Sequence, residues 1–373
     1  MAMHRETLFV LRARLARRLG LIALVGLLLL FALALVAMSV AGLAAAAAWS
    51  AIVAGEPLWS AGCSLVGVLA ALTAASLLSL LWTAPPPAQG VRLGREGAEP
   101  LHELLGQLGA ALKLPSISRI YVTDQMNAQI HQSSRWGIGP LRASLMIGLP
   151  LAHSLSPTQF GAVIAHELAH LSAQRRGLAG AGCAVRAWSM RVLDRLSSDL
   201  GPLASWLDRL SYPFCLDLLR LARIEEYEAD CIAASLVGPE LVGEALIETS
   251  LKSAFLDRDF WPSVEAFNAD CQQPGVLPFH FMANGLEASF MRTLAQHAVA
   301  LEASFGERGS FHPSLAQRLQ MLGVACRVPA VSEQSAASYY FAPLLPSLSR
   351  PLDQAWWHGW QNSQRRRLLV SED

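Results

Sequence analysis

The chain has 373 residues, with 29 basic and 29 acidic side chains and a formal net charge of zero, so no excess of positive charge points to a nucleic-acid surface. A hydrophobic fraction of 53% against only 16% charged residues excludes disorder and suits a membrane protein or a membrane-anchored one. Six cysteines with no CxxC pair exclude a disulfide framework and a cysteine zinc site at this length.

The cysteines (Cys63, Cys183, Cys215, Cys231, Cys271 and Cys326) are expected to be reduced thiols in a cytosol-facing domain. Lys113 and Lys252 are the only lysines; arginine supplies the other positive charges. Abundant Ala and Leu suit a GC-rich bacterial genome.

Residues 1–18 form a basic N-terminus containing Arg5, Arg12, Arg14, Arg17 and Arg18. Residues 19–83 read as two membrane spans, because Glu56 is the only charge between Leu19 and Val91. The first apolar run, Leu21 to Ala48, exceeds the ~20 residues a bilayer requires. The second runs from Ser60 to Leu81, with Trp59 and Trp82 at its ends, where tryptophan favours the interface. A cleaved signal peptide is the rival reading of the first run, but its apolar region would be only ~7–15 residues. Arginines before the first span and none between the spans put the N-terminus, and everything after Trp82, in the cytoplasm. The expected location is the bacterial inner membrane, with two spans.

A Pro/Gly linker covers residues 84–100 and includes "APPPAQG", a short stiff spacer. The main domain is expected over residues 101–330, with a C-terminal extension over 331–373. "EPLHELLGQLGAALKL" has helical spacing. "SRIYVTD" reads as a strand. "SSRWGIGP" reads as a loop or hairpin turn, and "ASLMIGLPL" (Ala143 to Leu151) as a second apolar strand ended by Gly148 and Pro150, whose Ala143–Gly148 part is free to offer an edge to a peptide. The next helix has Ser156 as N-cap, Pro157 at its first position, Gln159 closing a capping box and Gly177 as C-cap. The stretch from 181 to 222 is apolar, but charges interrupt it every few residues. It reads as an amphipathic hairpin, with the bilayer surface as one place for it. A second long helix should end near Gly238. "WWHGW" is expected to pack on the domain, with the membrane interface as the other place for it, and "SQRRRLLVSED" to fray.

Chemistry concentrates in "VIAHELAHLSAQRR". His166 and His170 are four apart, so they share one helix face. Two imidazoles so placed can hold one Zn²⁺. Glu167 sits beside the first of them, where a general base can reach a metal-bound water. A catalytic zinc needs a third protein ligand. "RIEEYEAD" offers Glu226, with Asp230 one turn later on the same face, able to accept the N–H of a ligating histidine. An acidic solvated face is the plain alternative. His102, His131, His153, His280, His297 and His358 have no partner at ligand spacing and read as structural or exposed.

"HELAH", then "EYEAD", then "SFHPSLAQRL", together with "TDQMNAQI" ahead of them, resemble family forty-eight of the metallopeptidases, the CAAX prenyl protease and HtpX-like membrane proteases. The resemblance covers Leu101 to Leu322 and takes in the two N-terminal spans. It implies an α+β, mainly helical, zincin-type (gluzincin) domain with a small sheet, preceded by two transmembrane helices. It implies one Zn²⁺ per chain held by His166, His170 and Glu226, with Glu167 as base. It places Asp230 behind His166, His312 at the oxyanion, Arg318 against Asp230 or another buried carboxylate, and Asn127 near substrate. A plain turn residue is the other reading of Asn127, and a surface histidine at a helix start is that of His312. The prenyl protease builds a chamber from many membrane helices, whereas this chain reads as two. The expected substrates are therefore membrane or membrane-associated polypeptides, met at the lipid bilayer, with no nucleic acid involved. Two other readings stay open on sequence: a sensor-type membrane metallopeptidase that cuts a regulator, and a catalytically silent zinc-binding scaffold or chaperone.

Overall fold

The computed structural model describes residues 2–83, 85–117, 119–133, 142–174, 178–199, 201, 204–269, 271, 273–282, 286, 289–291, 293, 312–330, 332 and 334–371. In chain order the helices are α1 (Ala2–Ala54), α2 (Pro57–Leu81), α3 (Glu99–Ala111), α4 (Leu149–Ser154), α5 (Pro157–Gln174), α6 (Leu178–Asp199), α7 (Ala204–Val237), α8 (Pro239–Phe255), α9 (Trp261–Phe267), α10 (Leu315–Leu322), α11 (Ala336–Phe341) and α12 (Leu345–Ser371). The strands are β1 (Val91–Leu93), β2 (Ile120–Thr123), β3 (Ala128–Ser133) and β4 (Arg142–Gly148). The chain is mainly helical with a small mixed sheet, and it forms two compact units. Most of "SSRWGIGP", the Gly177 cap and His297 lie outside the described residues.

The first unit comprises Met1–Pro86, Ser133–Arg142 and Arg175–Leu221. α2 pairs along its length with the second half of α1 as an antiparallel hairpin closed at Gly55 and Glu56. Pro57 starts α2, where its missing N–H costs nothing. Both helices are long and apolar enough to cross a membrane. Their outward leucines and valines are exposed, which water would penalise and lipid would not. α1 continues back to Ala2, so the basic N-terminus is helical too. α6 packs along α1, and Ser197 of α6 donates to Asp208 near the start of α7 at 2.8 Å.

The second unit comprises Pro87–Gln132, Ala143–Gln174 and Ala222–Asp373. Its sheet has the order β1-β2-β4-β3. β1 is antiparallel to β2, with Arg92 opposite Tyr121. β2 is parallel to β4, with Tyr121 opposite Met146. Ile120, Val122, Leu145 and Ile147 are buried at alternate positions, as a covered sheet face requires. α3, α5, α8 and α11 add to the core, including Leu101, Phe160, Ile164, Leu168, Leu251 and Phe341.

The strand expected from Ala143 ends at Gly148 as its glycine and proline require, and Pro150 sits in the first turn of α4. Its free edge is corrected: it lies between β2 and β3, and among the described residues the edges are β1 and β3. Neither edge strand was anticipated. The C-terminal tail is helical to Ser371. Trp356 stacks on Trp261 at 6.4 Å and on Trp360 at 6.1 Å, so the tryptophan cluster packs on its own unit.

Gly148 marks a close crossing. Its N–H donates to the Asn127 carbonyl at 2.7 Å. A methyl added there would land on the Gln125 carbonyl oxygen and within 2.9 Å of the Asn127 oxygen. Gly148→Ala should therefore push β3 away from β4. Thermal unfolding should show a loss of about 3 kcal/mol, the upper end of overpacking costs.

Candidate metal centre

α5 begins as its sequence requires. Ser156 Oγ accepts from Gln159 N at 3.2 Å, and Gln159 Oε1 accepts from Ser156 N at 3.1 Å. This reciprocal cap fixes the helix start and therefore its faces. Ile164, Ala165, Leu168 and Ala169 turn into the core. His166, Glu167 and His170 turn into a cleft of about 340 Å³. α7 brings Glu226 and Asp230 to the same cleft and stops at Gly238, whose φ of +93° suits glycine. α10 adds Arg318. Its own capping box, Ser314 with Gln317, aims the first turn, and His312 precedes it. Asn127, Ala128 and Gln129 form another part of the lining. All eight site residues read from sequence thus line one cleft.

His166 Nε2 and His170 Nε2 are 3.1 Å apart. Glu226 Oε2 is 3.5 Å from His166 Nε2, and Oε1 is 3.4 Å from His170 Nε2. Metal–ligand bonds of ~2.0–2.1 Å in a tetrahedron give ligand edges of about 3.3 Å. The three side chains therefore present donors at the spacing one small cation requires. Among the described residues, buried Glu226 Oε2 accepts no hydrogen bond, and only cationic or ring nitrogens stand 3.5 Å from it, which suits an oxygen held for an ion. The residues fit a metal.

Behind the donors lies a charged support. Asp230 Oδ1 is 3.1 Å from His166 Nδ1. Arg318 grips the same carboxylate in a fork, Nε to Oδ2 at 2.8 Å and Nη2 to Oδ1 at 2.6 Å. His312 Nδ1 is 3.0 Å from Glu226 Oε1. Burial opposes charge on Asp230, but Arg318 and His166 hold its carboxyl at about 2. Burial likewise opposes the charge on Glu226, yet three histidines and Arg318 keep it far below the carboxylate range. Glu167 goes the other way: burial raises it. Its hydrogen bond to Glu226 raises His312.

Burial depresses the metal-free His166, but Asp230 and Glu226 outweigh it and lift the imidazolium to about 9. This bears on metal binding, because a ligating histidine must be neutral. His166 is raised above its ordinary 6.5, so its pairing stabilises the metal-free fold fully below that pH and is lost as pH rises through about 9. Metal affinity should therefore rise with pH up to about 9, by about tenfold per unit if one proton is displaced, and then level off. Competition titrations with a metal indicator at several pH values check this.

Residues 116–324 match the model of Peptidase family M48. The chain belongs to that family. The match spans more than half the chain and includes every residue of the cleft just described. A metallopeptidase activity follows, and with it polypeptide substrates. Members of this family are zinc metallopeptidases, and the His166–His170–Glu226 group is consistent with a metal site. No curated protein and no solved structure matches the chain.

Sequence reading missed one wall of the peptidase cleft: Val242, Ala245, Leu246, Thr249 and Ser250 of α8. These are ordinary helix residues with no chemical signature. Of the remaining histidines, His102, His131, His153, His280 and His358 lie away from the cleft lining. Burial holds His153 down at about 4, a structural imidazole.

Proposed function

We propose that the protein is a membrane-anchored, zinc-dependent endopeptidase of the HtpX-like kind, with a gluzincin-type domain, acting in membrane-protein quality control or processing. The spacing of the His166, His170 and Glu226 donors, with Glu167 beside them in an open cleft, is the observation that carries this reading. α1 and α2 support the anchor. The arginines ahead of the first span support a peptidase domain, residues 101–330, facing the cytoplasm of a bacterial inner membrane.

His166, His170 and Glu226 would hold the ion. When bound, zinc supplies a Lewis acid that brings a water's pKa from 15.7 to about 7. Glu167 takes the proton from the attacking water and delivers it to the leaving amine. Its raised proton affinity suits both halves of that task. Asp230 holds His166 by Nδ1, and Arg318 holds Asp230. His312 offers an N–H to the carbonyl oxygen as it gains charge. β3 is an edge strand whose start lines the cleft, so a peptide can add to it by main-chain hydrogen bonds. Asn127 stands at that entrance. Main-chain recognition reads little sequence, which suits broad cleavage.

Elemental analysis of the detergent-purified protein tests the centre. About one zinc per chain is expected, lost or sharply reduced in His166→Ala and Glu226→Ala. Zinc retained in Glu226→Ala would remove the third ligand from this scheme, and no zinc in the parent would end it.

A further inference from the structure

α1 is longer than a bilayer needs. Its 53 residues extend about 80 Å at 1.5 Å per residue, against a hydrocarbon core of about 30 Å. α2, with 25 residues, reaches about 37 Å and suffices for one crossing. Leu27 and Leu30 of α1 meet Leu80 and Leu81 at the end of α2. The hairpin therefore has one end at Glu56 and the other near Leu30 and Leu81, and α1 before Leu27 extends beyond it.

α6 and the start of α7 occupy that second end. Trp188 and Val192 of α6 are buried in the same leucine cluster. Arg191 Nε donates to the Thr83 carbonyl at 3.0 Å. Arg195 reaches the Ser79 carbonyl at 3.5 Å and its hydroxyl at 3.4 Å. On the return path Ser197 donates to Asp208 at 2.8 Å, and Asp217 pairs with Arg18 at 3.7 Å. These contacts set the first two turns of α7 level with the end of α2.

What α7 exposes there is unusual for water. Trp206 and Leu210 are each 65% exposed, and Pro213 continues their stripe at i, i+4 and i+7. Tyr212, 61% exposed, and exposed Arg209 flank the stripe. A bare apolar stripe disfavours water. Asp194, Arg195, Asp199, Asp208 and Arg209 forbid hydrocarbon. The headgroup boundary satisfies both, since aromatic rings and arginines are favoured at that depth.

We propose that the α6–α7 hairpin is a collar resting on the bilayer that α1 and α2 cross, with Trp206, Leu210 and Pro213 dipping into the headgroup–acyl boundary. The occupant of this face is phospholipid. The proposal rests on the membrane-anchor reading and adds a third, non-spanning contact to it. It also shortens the embedded part of α1 to its second half.

The test uses the full chain reconstituted in phosphatidylcholine vesicles brominated either near the headgroup or near the chain end. The chain has ten tryptophans, so the Trp206 emission is taken as the parent minus Trp206→Phe. Trp59, at the opposite end of α2, is read in the same way with Trp59→Phe. Headgroup-side bromine should remove most of the Trp206 emission and chain-end bromine much less. Leu210→Trp in the Trp206→Phe background should restore that signal from the same face. Trp206 unquenched while Trp59 is quenched would overturn the collar and leave the anchor standing. Stronger quenching of Trp206 by chain-end bromine would make the hairpin an inserted segment and also overturn it. Trp59 unquenched by either lipid would remove the anchor and the collar together.

Discussion

Glu167→Gln is expected to stop proteolysis while leaving the metal in place. Glu167 contributes no donor to the His166–His170–Glu226 group, so zinc content should match that of the parent. The amide keeps the shape of the side chain but cannot accept and return a proton. Positioned proton transfer contributes about 10²–10⁴-fold, so cleavage of an unstructured model polypeptide should fall by about 10³-fold. Stability should not fall with it. Burial already disfavours the charged Glu167, and a neutral amide of the same size removes that strain. Lost activity with intact zinc and an unchanged melting temperature is a result that only a chemical role for the carboxylate explains. A variant that still cleaves at the parent's rate would sink the proposed base and favour the zinc-binding scaffold, whose fold and metal do not need Glu167.

The legible parts of this protein are those set by local rules. The i, i+4 spacing of His166 and His170, and of Glu226 and Asp230, fixes a shared face once the helix is fixed, and Ser156 and Gln159 fix the start of α5. What sequence could not show depends on partners distant in the chain. β3 reads Ala-Gln-Ile-His-Gln-Ser, and only Ala128 and Ile130 contribute to the core. An edge strand needs no more than that, so it carries a weak signal. That β4 is interior follows from its pairing with β2 and β3, and no residue within β4 announces it. Asn127 reaches the cleft because Gly148 lets β3 approach, a crossing visible only in three dimensions. The α8 wall carries no signature because its role there is shape.

The largest stability effect should come from Arg318. Its side chain stands between two carboxylates with almost no access to water, Asp230 fully buried and Glu226 nearly so. Arg318→Met keeps the length and the packing of the stem but removes the charge and the fork. Asp230 then retains His166 as its charged partner, at 3.1 Å, and Glu226 retains the histidines. Removing one partner from a buried ion pair costs about 3–5 kcal/mol, because the other charge stays behind. The metal-free variant should lose about that much by denaturant titration. Zinc should return part of it, since a bound cation supplies positive charge to the same carboxylates and binds only the folded form. Asp230→Asn, combined with Arg318→Met, should cost clearly less than the two single changes summed. The expected coupling is about 0.5–3 kcal/mol, as for residues in direct contact. Additive losses would mean that Arg318 acts through partners other than Asp230, Glu226 among them. Asp230 would then hold His166 without its help, and the chain of contacts from α10 through α7 to the first histidine would not act as one support.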